Sequence, residues 1–233
     1  MPLRAVAFDV DGTLYPNASM YLHSLGLALS HLRLIKTLEK VRAQLRHTPD
    51  NSDDFHRVQA RLVGQELGLS PERAYALIEA RVYTRWYRIF RKLRLFPGLK
   101  EAIAEFRDRS LKVAVLSDFP IRHRLTDLGL TGPWDCAFSS EETGYLKPHP
   151  RPFEVLAQRL ELPPSDILYV GNSYTYDVLG ALSAGMPCAH LTGKPRVDGR
   201  AVLSFSRYSQ LRDFVFQRAA PTGYDEHTGR VPV

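Results

Sequence analysis

Asp9 and Asp11 follow a short apolar run at 3–8, in the string Asp9-Val10-Asp11-Gly12-Thr13. In an extended chain residues i and i+2 face the same side, so the two carboxylates emerge together, and Gly12 then permits a sharp turn. Paired carboxylates can divide labour, one attacking as a nucleophile while the other moves a proton, and they can also hold a hard cation. Alone, two such acids far more often describe a capped turn with solvated carboxylates. Their company matters more. Ser117 closes the run Val113-Ala114-Val115-Leu116, and Lys147 stands in Leu146-Lys147-Pro148-His149-Pro150. Gly171-Asn172-Ser173, with Asp177 shortly after, ends the run Ile167-Leu168-Tyr169-Val170. Two acids, a hydroxyl, an ammonium and a further polar pair form a set suited to a phosphate and a divalent metal.

Such a set needs a scaffold that gathers it. The runs at 3–8, 113–116 and 167–170 are apolar and β-rich without alternation, the pattern of strands buried on both faces of a parallel sheet. Shorter strand candidates lie at 134–138, 187–191 and 201–205, and amphipathic segments at 99–109, 122–128, 153–160 and 177–184. This alternation predicts an α/β fold, a Rossmann-like parallel sheet between helices with right-handed crossovers. Ligands of open parallel sheets bind beyond the carboxyl ends of the strands, where each of the motifs falls.

The segment 17–95 has a different texture, with no strand-like run. Ile78, Val82, Trp86, Ile89 and Leu93 step by four, four, three and four, which places them on one helical face. Ser70-Pro71-Glu72 supplies an N-cap, a proline at the first helical position and an early acid, and 47–54 reads as the preceding break. The predicted division is an α/β core from 1–14 and 97–218, a small all-helical domain at 15–96 inserted after strand 1, and a flexible tail at 219–233.

Composition bounds the rest. The 233 residues allow one large domain or a core carrying a smaller one, and 44% hydrophobic residues suffice to bury a core. The two cysteines, Cys136 and Cys188, lie in apolar runs and read as reduced, buried residues of a cytoplasmic protein. No secretory signal and no membrane span is expected. The net charge of +6 is uneven: 15–96 carries +7 and the remainder −1. That excess describes either a solvated helical surface or one that attracts an anionic substrate or nucleic acid. Nucleic acid is not the expected partner, because no recognisable nucleic-acid module is present.

In order and spacing, these four motifs resemble those of the haloacid dehalogenase-like hydrolase superfamily, over about 3–216, and the insertion falls where a helical cap follows that superfamily's first motif. The resemblance implies a magnesium-dependent phosphatase. Asp9 would attack phosphorus and form an aspartyl-phosphate, with Mg²⁺ bridging Asp9 and a phosphate oxygen. Asp11 would protonate the leaving oxygen and then activate water, its backbone carbonyl binding the metal. Ser117 and Lys147 would bind the phosphate. Asp9, Asp11, Asn172 and Asp177 are the expected metal set, and a cis Lys147–Pro148 bond is expected as in similar proteins.

Asp11 argues against the namesake dehalogenation, whose halide leaving group needs no proton, and Gly171-Asn172 argues against a mutase resembling β-phosphoglucomutase. Asn172 stands where the superfamily most often has Asp, so the metal site loses a charge for which Asp177 can compensate, directly or through water. The expected substrate is a small phosphorylated metabolite. The competing reading is a catalytically weak protein whose basic insertion, with a stripe of Arg81, Arg85, Arg88 and Lys92, binds nucleic acid or a protein partner. Oligomeric state is not legible.

Overall fold

The computed structural model describes residues 2–49, 54–121, 123–194 and 199–219, apart from the side chains of Leu27 and Ala28. In chain order its strands and α-helices are β1 (Ala5–Phe8), α1 (Asn17–Ser30), α2 (Leu32–His47), α3 (Phe55–Leu67), α4 (Pro71–Ile78), α5 (Thr84–Phe90), α6 (Leu99–Asp108), β2 (Lys112–Ser117), α7 (Arg124–Asp127), β3 (Cys136–Ser139), α8 (Pro150–Leu160), β4 (Ile167–Gly171), α9 (Leu179–Ser183), β5 (Cys188–Leu191), β6 (Leu203–Phe205) and α10 (Tyr208–Phe216).

The six strands form one parallel sheet in the order β3-β2-β1-β4-β5-β6. Each of the six runs read as a strand candidate contributes one strand. β1 is central, and Phe8 stands level with Val115 on one neighbour and Val170 on the other. The residues that follow these positions therefore leave the sheet along one edge. Because strand side chains alternate, Val6 and Phe8 enter a core layer with Ile103, Phe106, Leu211 and Val215 of α6 and α10. Ala5 and Ala7 enter the opposite layer with Phe153, Leu156 and Leu160 of α8. Apolar residues on both faces explain why the strands read as unbroken apolar runs.

Cys136 lies on β3 and Cys188 on β5, four strand spacings apart, or about 19 Å. Both are buried free thiols. No helix among the described residues is long and apolar enough to cross a membrane.

Between β1 and β2, apart from an isolated bridge between Asp11 and Tyr15, the described elements are all helices, and those of the insertion have a core of their own around Leu38, Val41, Val58, Val63, Ile78 and Val82. Asp54 caps α3 by accepting from the His56 amide at 2.9 Å, and Ser70 caps α4 by accepting from the Arg73 amide. Of the predicted face, Ile78, Val82, Ile89 and Leu93 are buried, but the helix that carries it is not continuous. Residues Glu79–Tyr83 form a π-helical turn, Trp86 is only partly buried, and Leu93 lies beyond the end of α5. The wider turn carries Tyr83, whose hydroxyl meets Gln59 at 3.1 Å and Glu141 at 3.4 Å. At the other end, Ala219 bridges Leu3; the remainder of the expected flexible tail, 220–233, lies outside the described residues.

Candidate active site

Asp9 is the first residue beyond β1 and is anchored there by its amide, which donates to Val170 O at 2.9 Å. The turn after it depends on Gly12, whose φ of 85° favours glycine, and a Cβ there would collide with the side chains of Asn17 and Asn172. Asn172 is thus packed directly against the Asp9–Thr13 turn. Thr13 is fully buried, and its hydroxyl lies 2.9 Å from Asp9 Oδ2 and 3.3 Å from Asn172 Oδ1.

Lys147, 138 residues along the chain, enters from before α8 across a cis Lys147–Pro148 bond, as expected for similar proteins. Its ammonium donates to Asp9 Oδ1 at 2.7 Å, Asp177 Oδ1 at 2.6 Å and Tyr169 OH at 3.1 Å, which uses all three protons. Asp177 sits in a π-helical turn at Tyr174–Val178, and its other oxygen accepts from the Ser173 amide at 2.9 Å. Gly171 is needed here, since a Cβ would strike the Asp177 side chain.

Burial pushes the Asp9 carboxyl up to about 7; Lys147 opposes this, while Asp177 and Asp11 reinforce it. Burial would by itself depress Lys147, but Asp177 and Asp9 overcome it and hold the ammonium protonated well above the usual lysine value.

Asp11 has other partners. Its Oδ1 accepts from Arg124 Nη2 at 2.5 Å and from the Tyr15 hydroxyl. Arg124 also donates through Nη1 to Ser117 Oγ at 3.0 Å. Burial opposes the charge on Arg124, and Asp11 and Tyr15 more than restore it. The motif side chains thus form two hydrogen-bonded groups: Thr13 joins Asp9, with Lys147 and Asp177 behind it, to Asn172, and Arg124 joins Asp11 to Ser117.

The helical insertion reaches into the same region. Arg46 of α2 pairs with Asp118 Oδ2 at 2.6 Å and also donates to the carbonyl of Lys147, and its guanidinium lies 4.2 Å from the Tyr176 ring centroid. Arg42, one turn earlier, donates to Asp118 O at 2.6 Å, to Gln59 Oε1 at 3.0 Å and to Glu141. Part of the insertion's basic excess is thus spent on buried acids of the sheet domain, while Arg81, Arg85, Arg88 and Lys92 are exposed. Thr13, Tyr15, Arg42, Arg46, Asp118, Arg124, Tyr169 and His190 had no role readable in the sequence. Thr13, inside the first motif, and Asp118, adjacent to Ser117, had a positional hint; Arg124 and Arg46 look like surface residues of amphipathic segments.

The donors facing Asp9 fit a hard cation. One hydroxyl proton on Thr13 cannot serve both Asp9 Oδ2 and Asn172 Oδ1, so oxygen lone pairs remain on the two acceptors beside it. Oxygen-only donors suit Mg²⁺. Among the described residues no three His, Cys, Asp or Glu side chains converge as a cation cluster, so a cation beside Asp9 would draw the rest of its shell from backbone carbonyls and exogenous oxygens. The carbonyl of Asn172 is held by His190 Nε2 at 3.1 Å.

The profile of the haloacid dehalogenase-like hydrolases matches residues 3–185. The chain belongs to that family. Among curated relatives, a phosphoglycolate phosphatase of Yersinia pestis is 28% identical over 198 residues, covering 82% of this chain and 81% of that protein. A glyceraldehyde 3-phosphate phosphatase of Methanothermobacter thermautotrophicus is also 28% identical over 198 residues, covering 79% of this chain and 83% of its own. Solved structures share the fold of this family member. A magnesium-bound HAD-hydrolase of Bacillus subtilis superposes with a TM-score of 0.67 at 18% identity, over 93% of this chain and 100% of that one. A 2-haloacid dehalogenase of Pseudomonas syringae gives 0.67 at 22% identity, over 93% and 99%.

Proposed function

We propose that this hydrolase is a Mg²⁺-dependent phosphatase that releases phosphate from a small phosphorylated metabolite through an aspartyl-phosphate on Asp9. The observation that carries the reading is the arrangement around Asp9: Lys147 at 2.7 Å on one oxygen, and a second acid, Asp11, two residues on with its Oδ1 engaged elsewhere. A dehalogenase has no use for that second acid; a phosphatase needs a proton for its leaving oxygen.

An Asp9 oxygen attacks phosphorus while the bond from phosphorus to the ester oxygen breaks, and Asp11 supplies the proton that this oxygen takes. Asp11 then accepts a proton from water, whose oxygen attacks phosphorus and releases Asp9. Lys147 neutralises charge on Asp9 and on the entering phosphate, and Ser117 donates to a phosphate oxygen. Asp177 holds Lys147 in place from behind. Asp9, Asn172 and the Asp11 carbonyl would hold Mg²⁺, which when bound offsets the repulsion between the two anions. The helical insertion at 15–96 acts as a cap that screens the site. Two- and three-carbon phosphates of the kind named for the relatives are the first substrates to consider, and a cytoplasmic location suits them and the two reduced thiols.

The test is phosphate release from p-nitrophenyl phosphate with and without Mg²⁺, followed by a panel led by 2-phosphoglycolate and glyceraldehyde 3-phosphate. Turnover that requires Mg²⁺ and stops in EDTA is expected. No release from any member of the panel at any Mg²⁺ concentration would leave the binding-protein reading in its place.

A further inference from the structure

We propose that Arg124 is a positioning residue for this reaction, setting the directions in which Ser117 and Asp11 present themselves to the phosphate. The inference rests on the phosphatase reading above and adds to it a residue that no motif contains. Arg124 is 2% exposed and lies on the short α7, seven residues after Ser117 and 113 after Asp11. Its two terminal nitrogens serve different partners, Nη1 on Ser117 Oγ at 3.0 Å and Nη2 on Asp11 Oδ1 at 2.5 Å. A guanidinium is planar and rigid, so this fork fixes the two acceptors relative to each other, which a single ammonium cannot do.

The consequence for Ser117 follows from counting protons. Its Oγ already accepts from Arg124 Nη1 and from the Phe119 amide at 3.1 Å. A hydroxyl has two lone pairs and one proton. With both lone pairs occupied, the proton is the only capacity left, and it must be given away from the protein donors. Ser117 is thereby a donor by construction, the polarity a phosphate oxygen needs. The consequence for Asp11 is parallel. Oδ1 takes Arg124 and Tyr15, Oδ2 takes no hydrogen bond from the described residues, and the free oxygen is the one left for proton transfer.

The guanidinium is itself held. Its carbon lies 4.4 Å from the Phe90 ring centroid, and Nη2 is 3.3 Å from the Tyr15 hydroxyl. Phe90 closes α5, and Tyr15 follows the first turn, so the two chain crossings between sheet and insertion both brace Arg124.

The test is a double-mutant cycle in steady-state kinetics on p-nitrophenyl phosphate, using Arg124→Lys and Arg124→Gln, each alone and combined with Ser117→Ala. In an otherwise native chain each Arg124 variant should lower kcat by about 30- to 100-fold with KM within about threefold, the scale of a misdirected rather than a missing group. In the Ser117→Ala background the same substitutions should cost less than about half as much on a logarithmic scale, because part of what Arg124 directs is already gone. Equal penalties in both backgrounds, or loss of folding in both Arg124 variants, would overturn the proposal by making the role of Arg124 structural. A wild-type protein without Mg²⁺-dependent turnover would instead refute the phosphatase reading itself.

Discussion

Lys147 Nζ and Asp9 Oδ1 are 2.7 Å apart, both buried, at the carboxyl edge of the sheet. Asp177 Oδ1 is on the same ammonium at 2.6 Å, so one cation is shared by two buried carboxylates. The proposed nucleophile is held in a site whose charges are unequal, and that inequality has measurable consequences.

Asp9→Asn should abolish turnover and leave the protein folded. The Asp9 carboxyl is pushed up to about 7, against about 3.9 in an unfolded chain. The folded protein therefore holds this proton more tightly, and stability from this group falls as pH rises from about 4 to about 7. Asn does not titrate. In metal-free buffer the Tm of Asp9→Asn relative to wild type should increase between pH 5 and pH 8; a difference that stays constant would contradict the raised value.

Lys147→Met leaves Asp9 and Asp177 facing each other without a cation. Removing one partner of a buried ion pair costs about 3–5 kcal/mol, and urea unfolding at pH 8 should show a loss of that order. The loss should shrink at pH 5.5, where Asp9 takes up a proton. Equal losses at both pH values would mean that Asp9 does not take up a proton over this range.

Asn172→Asp adds a charge beside Asp9 and should tighten Mg²⁺ in the absence of substrate by tenfold or more. A unit charge pair at 4 Å and an effective dielectric near 20 is worth about 4 kcal/mol before desolvation. Both oxygens of Asp177 already take protein donors, so Asp177→Asn should change Mg²⁺ affinity by less than about threefold. Calorimetric titration of both variants decides whether Asn172 or Asp177 faces the metal.

Asp118 ties the insertion to the sheet domain. Burial works against its charge, but Arg46, Lys147 and Arg42 hold its carboxyl below the usual range. A depressed value contributes stability above about pH 4, where the unfolded group is ionised, and loses it as pH falls through the folded value. Asp118→Ala should cost about 3–5 kcal/mol at pH 7 and less at pH 3. Chemical denaturation at the two pH values measures the difference; a penalty that grows in acid would reverse the sign argued here.

The sequence by itself determined the sheet and the positions of its functional ends. Strands buried on two faces leave an apolar signature, and Asp9, Ser117 and the Gly171-Asn172 pair stand directly against such runs. It also determined the helical character of the segment after β1, because apolar steps of three and four have no other regular solution. What only the tertiary structure decided were the partners of each charge. Lys147 meets Asp9 across 138 residues and Arg124 meets Asp11 across 113, distances over which no periodicity in the sequence carries information. Arg42 and Arg46 read as part of a basic surface, yet chain topology buries Arg42 against Glu141 and half-buries Arg46 against Asp118. A charged residue on an amphipathic helix has the same local pattern whether it faces water or a buried acid, and only the packing of one element on another distinguishes the two.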